Sequence, residues 1–562
     1  MNKIRTFRAG WRIIGGCMLA GFSPMAGPGP QVIQGIPGVA VQTATVIFSE
    51  VADIAAPVRS PQIPSPAPAT NFLALADNNT STPPDTQGAV GPNHLMTTLN
   101  TQIRIQSKAG GTLSTSTLST FFGALASGGA YDPRLTYDPY NNRWILSSAV
   151  NAQSSSAGVV VGVSQTSDPT GTWFLYKFPA AGTSIVPDVP TLGFNKDWIV
   201  VASDIFDANA AYAYLGVYVY VVNKTNLYAH GSGLYTLLQT TNSFAPCPAV
   251  TYDNSLASEY LAEDFDASNG TVRTSLRLSA ITGAIGSETL TLGVGFSTNT
   301  AWAFLPANRN FLPQLGSSQK IAVSDSQIQN CVYRNGYLWA THTIMLPSTS
   351  PTRASVQWWQ LATNGTVRQV GRIDDSTGVL FSAYPSIGVN KNDDVLIGYS
   401  RFSTNQYASA NYSFRFGYDA LNTMRDSTVY KAGEGFYYKT FGGSLNRWGD
   451  YSSTVVDPTD DQTLWTLQEY AATPLLTGDG SGRWRTWWAK VIVPSLVAPT
   501  IFNPRLNGGN FNFSFQSVTD QNYTVEYKNS LSISNWTTGN PFRETARSNR
   551  SPTFSRRRAS TA

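Results

Sequence analysis

Three cysteines and three histidines in 562 residues leave little material for the commonest built sites. Cys17, Cys247 and Cys331 fall in no C-x-x-C pair, which excludes a disulfide-dense scaffold and gives no support to a zinc or thioredoxin-like site. His94, His230 and His342 are isolated from one another, and the chain holds no H-E-x-x-H, no G-x-S-x-G and no Walker loop. Charge is also scarce. At 13% Asp, Glu, Lys and Arg against 42% hydrophobic residues, the chain is neither a solvated helix array nor a disordered polyelectrolyte. Its longest apolar run near the start, Ile13 to Phe22, is too short to span a bilayer, and no later run is long enough.

What is present begins with two atypical ends. Lys3, Arg5, Arg8 and Arg12 precede that apolar run with no acid among them, and small residues and proline follow. This order describes an export signal over residues 1–26. Residues 27–82 are rich in Pro, Gly, Ala and Ser and are expected to be an extended leader or linker. At the other end, residues 541–562 carry six arginines against Glu544. Removing both ends from the formal charge of +4 leaves a mildly acidic body with no basic stripe for nucleic acid.

That body repeats. An Asp or polar residue in a Pro-rich turn, a short strand, a polar turn and an apolar strand recur from Asp85, Asp132, Asp188, Cys247, Gln327, Tyr384 and Asp450. The units lie about 60 residues apart, and a four-stranded propeller blade needs roughly 40 to 50 residues plus loops. Val, Ile, Tyr and Trp dominate the runs within them, as in GVVVGVSQT and SVQWWQLAT. Asn269-Gly270 and Asn364-Gly365 are expected to form type I′ hairpin turns. The expected fold is all-β, a seven-bladed β-propeller over 83–494, with the long interval after Cys247 holding an insertion. A partial small β-sandwich over 498–540 follows, with FNFSF and YTVEYK as strands, and the composition of 541–562 suggests a truncated or frameshifted end of that module.

PPDTQGAVGPNH (from Pro83), DPRLTYDPYNNRW, YPSIGVNKNDDVLIGYS and RWGDYSSTVVDP (from Arg447) resemble the marker segments of a group of secreted bacterial β-propeller proteins of uncharacterised function. The resemblance spans about residues 70 to 494. It implies export and a propeller, and it brings no established reaction. SQTSDPTGTW (Ser164 to Trp173) distantly resembles the Asp-box hairpin of sialidase-like propellers, with one residue too many between Asp168 and Gly171. There Asp168 is expected to fix a turn rather than to catalyse.

Loops entering the first strand of each blade open on one face, so Asp85, Asp132, Asp188 and Asp450 are expected at one mouth, with Arg134, Tyr384 and Arg447 beside them as ligand-binding candidates. Three chemistries suit that set. The carboxylates accept backbone N–H groups and fix turns; they bind Ca²⁺, which takes six to eight oxygens; or a pair of them hydrolyses glycosides from about 5 to 9.5 Å apart. Sialidase chemistry would use Arg134, Arg401 and Arg447 around a carboxylate with Tyr384 as nucleophile. Trp358, Trp359, Trp484, Trp487 and Trp488 stack on sugar rings if exposed, and fill the spaces between blades if not. The expected role is a monomeric binding or interaction module at the cell exterior, with a polysaccharide or a cell-surface protein as partner. A carbohydrate-active hydrolase is the alternative.

Overall fold

The computed structural model describes residues 63–180, 182–266 and 270–493, together with the backbone of short strands elsewhere. The expected export signal and most of the expected leader lie outside the described residues. Two compact units divide the chain at Val493/Pro494.

The first unit is built of antiparallel sheets in chain order. Sheet A comprises Gln87–Val90, His94–Thr98, Gln102–Ser107 and Thr112–Thr117, and sheet B Ala130–Asp138, Arg143–Val150, Gly158–Ser164 and Trp173–Pro179. Sheet C comprises Ile185–Phe194, Trp198–Asp207, Ala213–Asn223 and Tyr235–Thr240. Sheet D is less regular: Cys247–Pro248, Glu259–Phe265 and Val272–Thr282, the last flanked by both Thr289–Thr291 and Phe296–Ala303. Sheets E (Asn330–Arg334, Tyr337–Leu346, Arg353–Ala362, Val367–Ile373) and F (Phe381–Val389, Val395–Ser403, Gln406–Arg415, Thr428–Lys431) again have four strands.

Sheet G takes three strands from the end of the unit, Ser453–Val456, Leu464–Ala472 and Arg483–Val491, and its fourth from the beginning. That strand, Thr70–Ala76, pairs antiparallel with Arg483–Val491, Phe72 opposite Trp488. Composition places Thr70–Ala76 in the leader; it is instead part of the folded body, because TNFLALA alternates well enough to complete a sheet.

First strands of successive sheets neighbour one another from A through G, and that of G neighbours that of A, which closes the circuit. The architecture is all-β and propeller-like. Apolar side chains fill the layers between neighbours: Trp144 with Met96 and Ile105 between A and B, Val201 with Val161 between B and C, Trp302 with Trp359 between D and E, Trp339 with Ile397 between E and F, Trp488 with Leu95 between G and A. Trp358, Trp359, Trp484 and Trp488 are all fully buried, so the expectation of an aromatic sugar-stacking surface is corrected for them. Trp487 is partly buried on sheet G and donates to Asn71 Oδ1 at 2.8 Å.

Two further expectations change. At Asn364-Gly365 only the glycine is left-handed (φ 87°), and Ala362 N–H closes on Thr366 O. The ladder slips one residue at Gln360/Leu361, which gives a bulged turn in place of type I′. Asn269 lies outside the described residues. The long interval after Cys247 holds, beyond Ala303, a two-stranded ladder of Asn310–Leu312 with Ile321–Ala322.

In Ser164–Trp173, Asp168 Oδ1 accepts from Thr170 N and Oγ1 at 2.9 and 2.7 Å, while Trp173 packs on Phe121. In the second unit Ile501–Asn507 pairs antiparallel with Asn510–Phe515, which contains FNFSF. The YTVEYK stretch contributes two short strands, Asn522–Tyr523 and Glu526–Tyr527. The tail from residue 544 lies outside the described residues.

Candidate functional site

The chain enters the first strands through residues with left-handed backbone: Asp85 (φ 54°), Asp132 (50°), Val189 (44°), Ala245 (45°) and Tyr384 (58°). In the last four, proline follows directly. Aspartate tolerates this region because its short side chain bonds locally, whereas a β-branched valine sits there at a cost. At three of these residues the ladder slips, between Tyr131 and Arg134, Asp188 and Thr191, and Ala383 and Ser386, as a bulge does. By position, Gln327 and Tyr451 complete the set for sheets E and G.

This corrects the sequence alignment at three units. The entry positions of sheets C, D and G are Val189, Ala245 and Tyr451, so Asp188 and Asp450 stand one residue earlier and Cys247 two residues later. Val189, Ala245 and Tyr451 pack together into a small apolar plug with Phe244.

Around the plug the four expected aspartates do act on one another. Asn100 is the hub between sheets A and B: its Nδ2 donates to Asp85 Oδ2 at 2.5 Å, and its Oδ1 accepts from Asp132 N at 2.7 Å. Asp132 Oδ2 in turn accepts from Val189 N at 3.3 Å. Burial, then the charges of Asp450 and Asp132, push the Asp85 carboxyl well up, and a side-chain hydrogen bond with the Asp132 carboxyl adds to the rise. Burial, with Asp188 and Asp450, pushes Asp132 up to about 7, and burial with Asp204 does the same to Asp188. Burial favours the neutral forms of these carboxyls, and their hydrogen bonds tie the turns of sheets A, B and C to one another. Among the described residues no group of three or more His, Cys, Asp or Glu is arranged to hold a metal ion.

Arg134 runs inward from this layer. Its guanidinium lies 3.4 Å from the centre of the Tyr451 ring, with Nε donating to Pro190 O at 2.6 Å and Nη2 to Gln329 Oε1 at 2.6 Å. Nη1 donates to Gln329 O at 3.3 Å. Arg134 thus divides the axis: a cavity on its strand side is lined by Arg134, Thr136, Cys247, Tyr252, Cys331 and Thr454.

On the other side opens a small recess of about 30 Å³, lined among others by Arg309, Asp325, Gln327, Tyr384, Arg447 and Asp450. Arg447 Nη2 is ion-paired with Asp450 Oδ2, and Ser324 Oγ donates to Asp450 Oδ1 at 2.9 Å. Although burial opposes its charge, Asp450 and Asp85 hold the Arg447 guanidinium firmly protonated. Asp325 is pushed up to about 6 by burial, with Arg309 opposing. The amide Nε2 of Gln327 is buried without a partner. His342 is neutral in the wall: burial pulls it down to about 4, Nδ1–H donates to Ser326 O at 2.7 Å, and Nε2 accepts from Trp359 Nε1 at 3.1 Å.

Of the sequence candidates, Tyr384, Arg447 and Asp450 therefore line the recess, while Asp85, Asp132, Asp188 and Arg134 form its supporting layer. The three-arginine arrangement does not form. Arg134 is stacked under Tyr451, and Arg401 lies beside Tyr399, to whose hydroxyl it donates at 3.1 Å. Tyr384 is no ready nucleophile either, since burial holds its hydroxyl protonated and it donates to Ala322 O at 2.5 Å.

No family model matches the chain, and no curated protein matches it. Similar solved structures include a protein of unknown function from Dyadobacter fermentans, 11% identical over 64% of this chain and 94% of that one, TM-score 0.36. A variant of the Synechocystis apocarotenoid oxygenase is 10% identical over 62% and 74%, TM-score 0.36. The Penicillium chrysogenum alpha-L-arabinanase complexed with arabinobiose is 12% identical over 75% and 98%, TM-score 0.36.

Sequence reasoning missed Arg309, Asp325 and the wall residue His342. The first two belong to the insertion before sheet E, which follows no repeat, so no alignment of units points to them.

Proposed function

We propose that the chain is an exported seven-bladed β-propeller that binds a polar, sugar-like ligand in the recess at its entry face. The observation that carries this reading is the recess itself. Its wall mixes donors (Arg309, Arg447, the Gln327 amide) with acceptors (Asp325, Asp450) around a space of about 30 Å³, room for one hydroxyl-bearing group in place of water. Each sugar hydroxyl both donates and accepts, so such a wall suits a polyol better than an apolar ligand or a simple anion. The closed circuit of first strands supports seven blades, with Thr70–Ala76 closing the last.

Export rests on the basic and apolar start of the sequence; no helix among the described residues is long and apolar enough to cross a membrane. The partner is then a polysaccharide or a glycosylated cell-surface protein. Glycan-array screening followed by calorimetry tests the reading, with Asp450→Asn and Gln327→Ala expected to weaken binding at least about tenfold, the loss of one or two hydrogen bonds to a buried site. Unchanged binding in both variants would remove the recess from the reading.

A second reading has its own observation: two carboxyls share the recess, one of them, Asp325, raised to about 6, as a general acid requires. If the recess hydrolyses glycosides, turnover falls as pH rises through about 6 and Asp325→Asn abolishes it while binding persists. Binding without turnover on polymeric sugars excludes it.

A further inference from the structure

Sheet D joins its neighbours differently from the other sheets. Its entering strand is broken: Cys247–Pro248 pairs within the sheet, opposite Ala262 and Leu261, and Val250–Thr251 leaves to pair in parallel with sheets C and E at once, Phe194 opposite Val250 and Val250 opposite Val332. Cys331 immediately precedes Val332, so the parallel bridge brings the two cysteine-bearing segments side by side. Both thiols are buried, both belong to the apolar layer between D and E, and both line the cavity below Arg134. The Cys247 sulfur lies 3.8 Å from the carbonyl oxygen of Pro248, its neighbour in the broken strand. Neither cysteine is bonded in the structure.

We propose that Cys247 and Cys331 are a cross-linking pair, which an oxidising compartment converts to a disulfide joining the first strands of sheets D and E. The reaction removes the two S–H hydrogens as two protons and two electrons and forms one S–S bond. The electrons reduce a partner disulfide, either glutathione disulfide or that of a thiol–disulfide oxidoreductase, to two thiols.

The folded state is a poor place to start this chemistry. Burial pushes the Cys247 thiol up to about 12 and Cys331 upward as well, so the attacking thiolate is scarce and enclosed. The bond therefore forms while sheets D and E are assembling, and folding then seals it. Its place is mechanically apt. The ladder between the first strands of D and E pairs Val250 with Val332 and Thr251 with Tyr333, with Tyr252 N donating to Tyr333 O at 2.9 Å, and is shorter than the ladders within the four-strand sheets.

The test uses the full chain made twice, once exported through its own leader to an oxidising compartment and once in a reducing cytosol. Each sample is unfolded in guanidinium with iodoacetamide, digested, and mapped by mass spectrometry. The exported protein is expected to give the Cys247 and Cys331 peptides linked and two hydrogens lighter, and the cytosolic protein to give both alkylated. Both thiols alkylated in the exported protein, or Cys17 linked to either of them, would overturn the proposal. Should export fail, the Cys17→Ser chain refolded in a mixture of reduced and oxidised glutathione gives the same two readouts.

Discussion

The guanidinium of Arg134, from sheet B, stacks 3.4 Å from the centre of the Tyr451 ring, at the entry to sheet G. Sheets B and G are not neighbours in the circuit, so this contact crosses the axis, and the hydrogen bonds to Pro190 and Gln329 add sheets C and E to it. Arg134→Met leaves those carbonyls unpaired and removes a stacked, nearly fully buried cation. The expected loss is about 3–5 kcal/mol in urea unfolding. Arg134→Lys is expected to recover little of it, because a lysine cannot reproduce the planar fork.

Stability should fall as the solution turns alkaline from mild acid. Asp132 and Asp188 are raised to about 7 and Asp325 to about 6, and Glu263 and Asp264 reach about 7, in each case with burial the largest cause. The folded state binds more protons than the unfolded chain between the ordinary carboxylate range and these values. The stabilisation is complete below about 4 and is lost as pH rises through about 6 to 7. Thermal melts at pH 5 and pH 8 check the sign: Tm is expected to be lower at pH 8, and Asp132→Asn with Asp188→Asn to narrow the gap. A Tm that rises toward pH 8 would contradict the protonated mouth.

The strand Thr70–Ala76 holds the circuit shut. Leu75 is fully buried, its N–H donates to Thr486 Oγ1 at 3.0 Å, and the following Asp77 accepts from buried Lys439 at 2.6 and 2.8 Å. Leu75→Ala is expected to cost about 2–5 kcal/mol. A chain begun at residue 83 leaves sheet G with three strands and Lys439 without its carboxylate, and is expected to lose cooperative unfolding by circular dichroism.

Gly91 provides a steric check on the layer between sheets A and B. A Cβ there would stand 2.5 Å from Trp144 Cζ2, against a fully buried indole whose Nε1 is already bound to Ser167 O at 2.9 Å. Gly91→Ala is expected to cost about 1–3 kcal/mol by overpacking, and Trp144→Phe to relieve part of it in the double variant.

The entry aspartates show how far the repeat could be followed in one dimension. Asp85, Asp132, Gln327 and Tyr384 are legible because each unit offers one residue in a polar or Pro-rich turn at the start of its first strand, so only one register fits. Asp188 misleads because prolines stand both before and after it, at 187 and 190, and Cys247 lies between Pro246 and Pro248, so more than one register satisfies the pattern. Only the backbone shows which residue turns left-handed. Aromatic pairs such as Trp358-Trp359 were equally ambiguous, since a strand alternates its faces and both faces here turn out to be covered by neighbouring sheets.

The sequence by itself determined the all-β class, the recurring unit and the scarcity of charge, because period-two patterning and turn residues act locally. The tertiary structure decided what those charges do. It closed sheet G with a strand taken from the apparent leader, turned most of the entry aspartates into buried staples, and brought Arg309 and Asp325 from an insertion to face Arg447 and Asp450. Those outcomes depend on desolvation and on contacts between residues hundreds of positions apart, which no local pattern encodes.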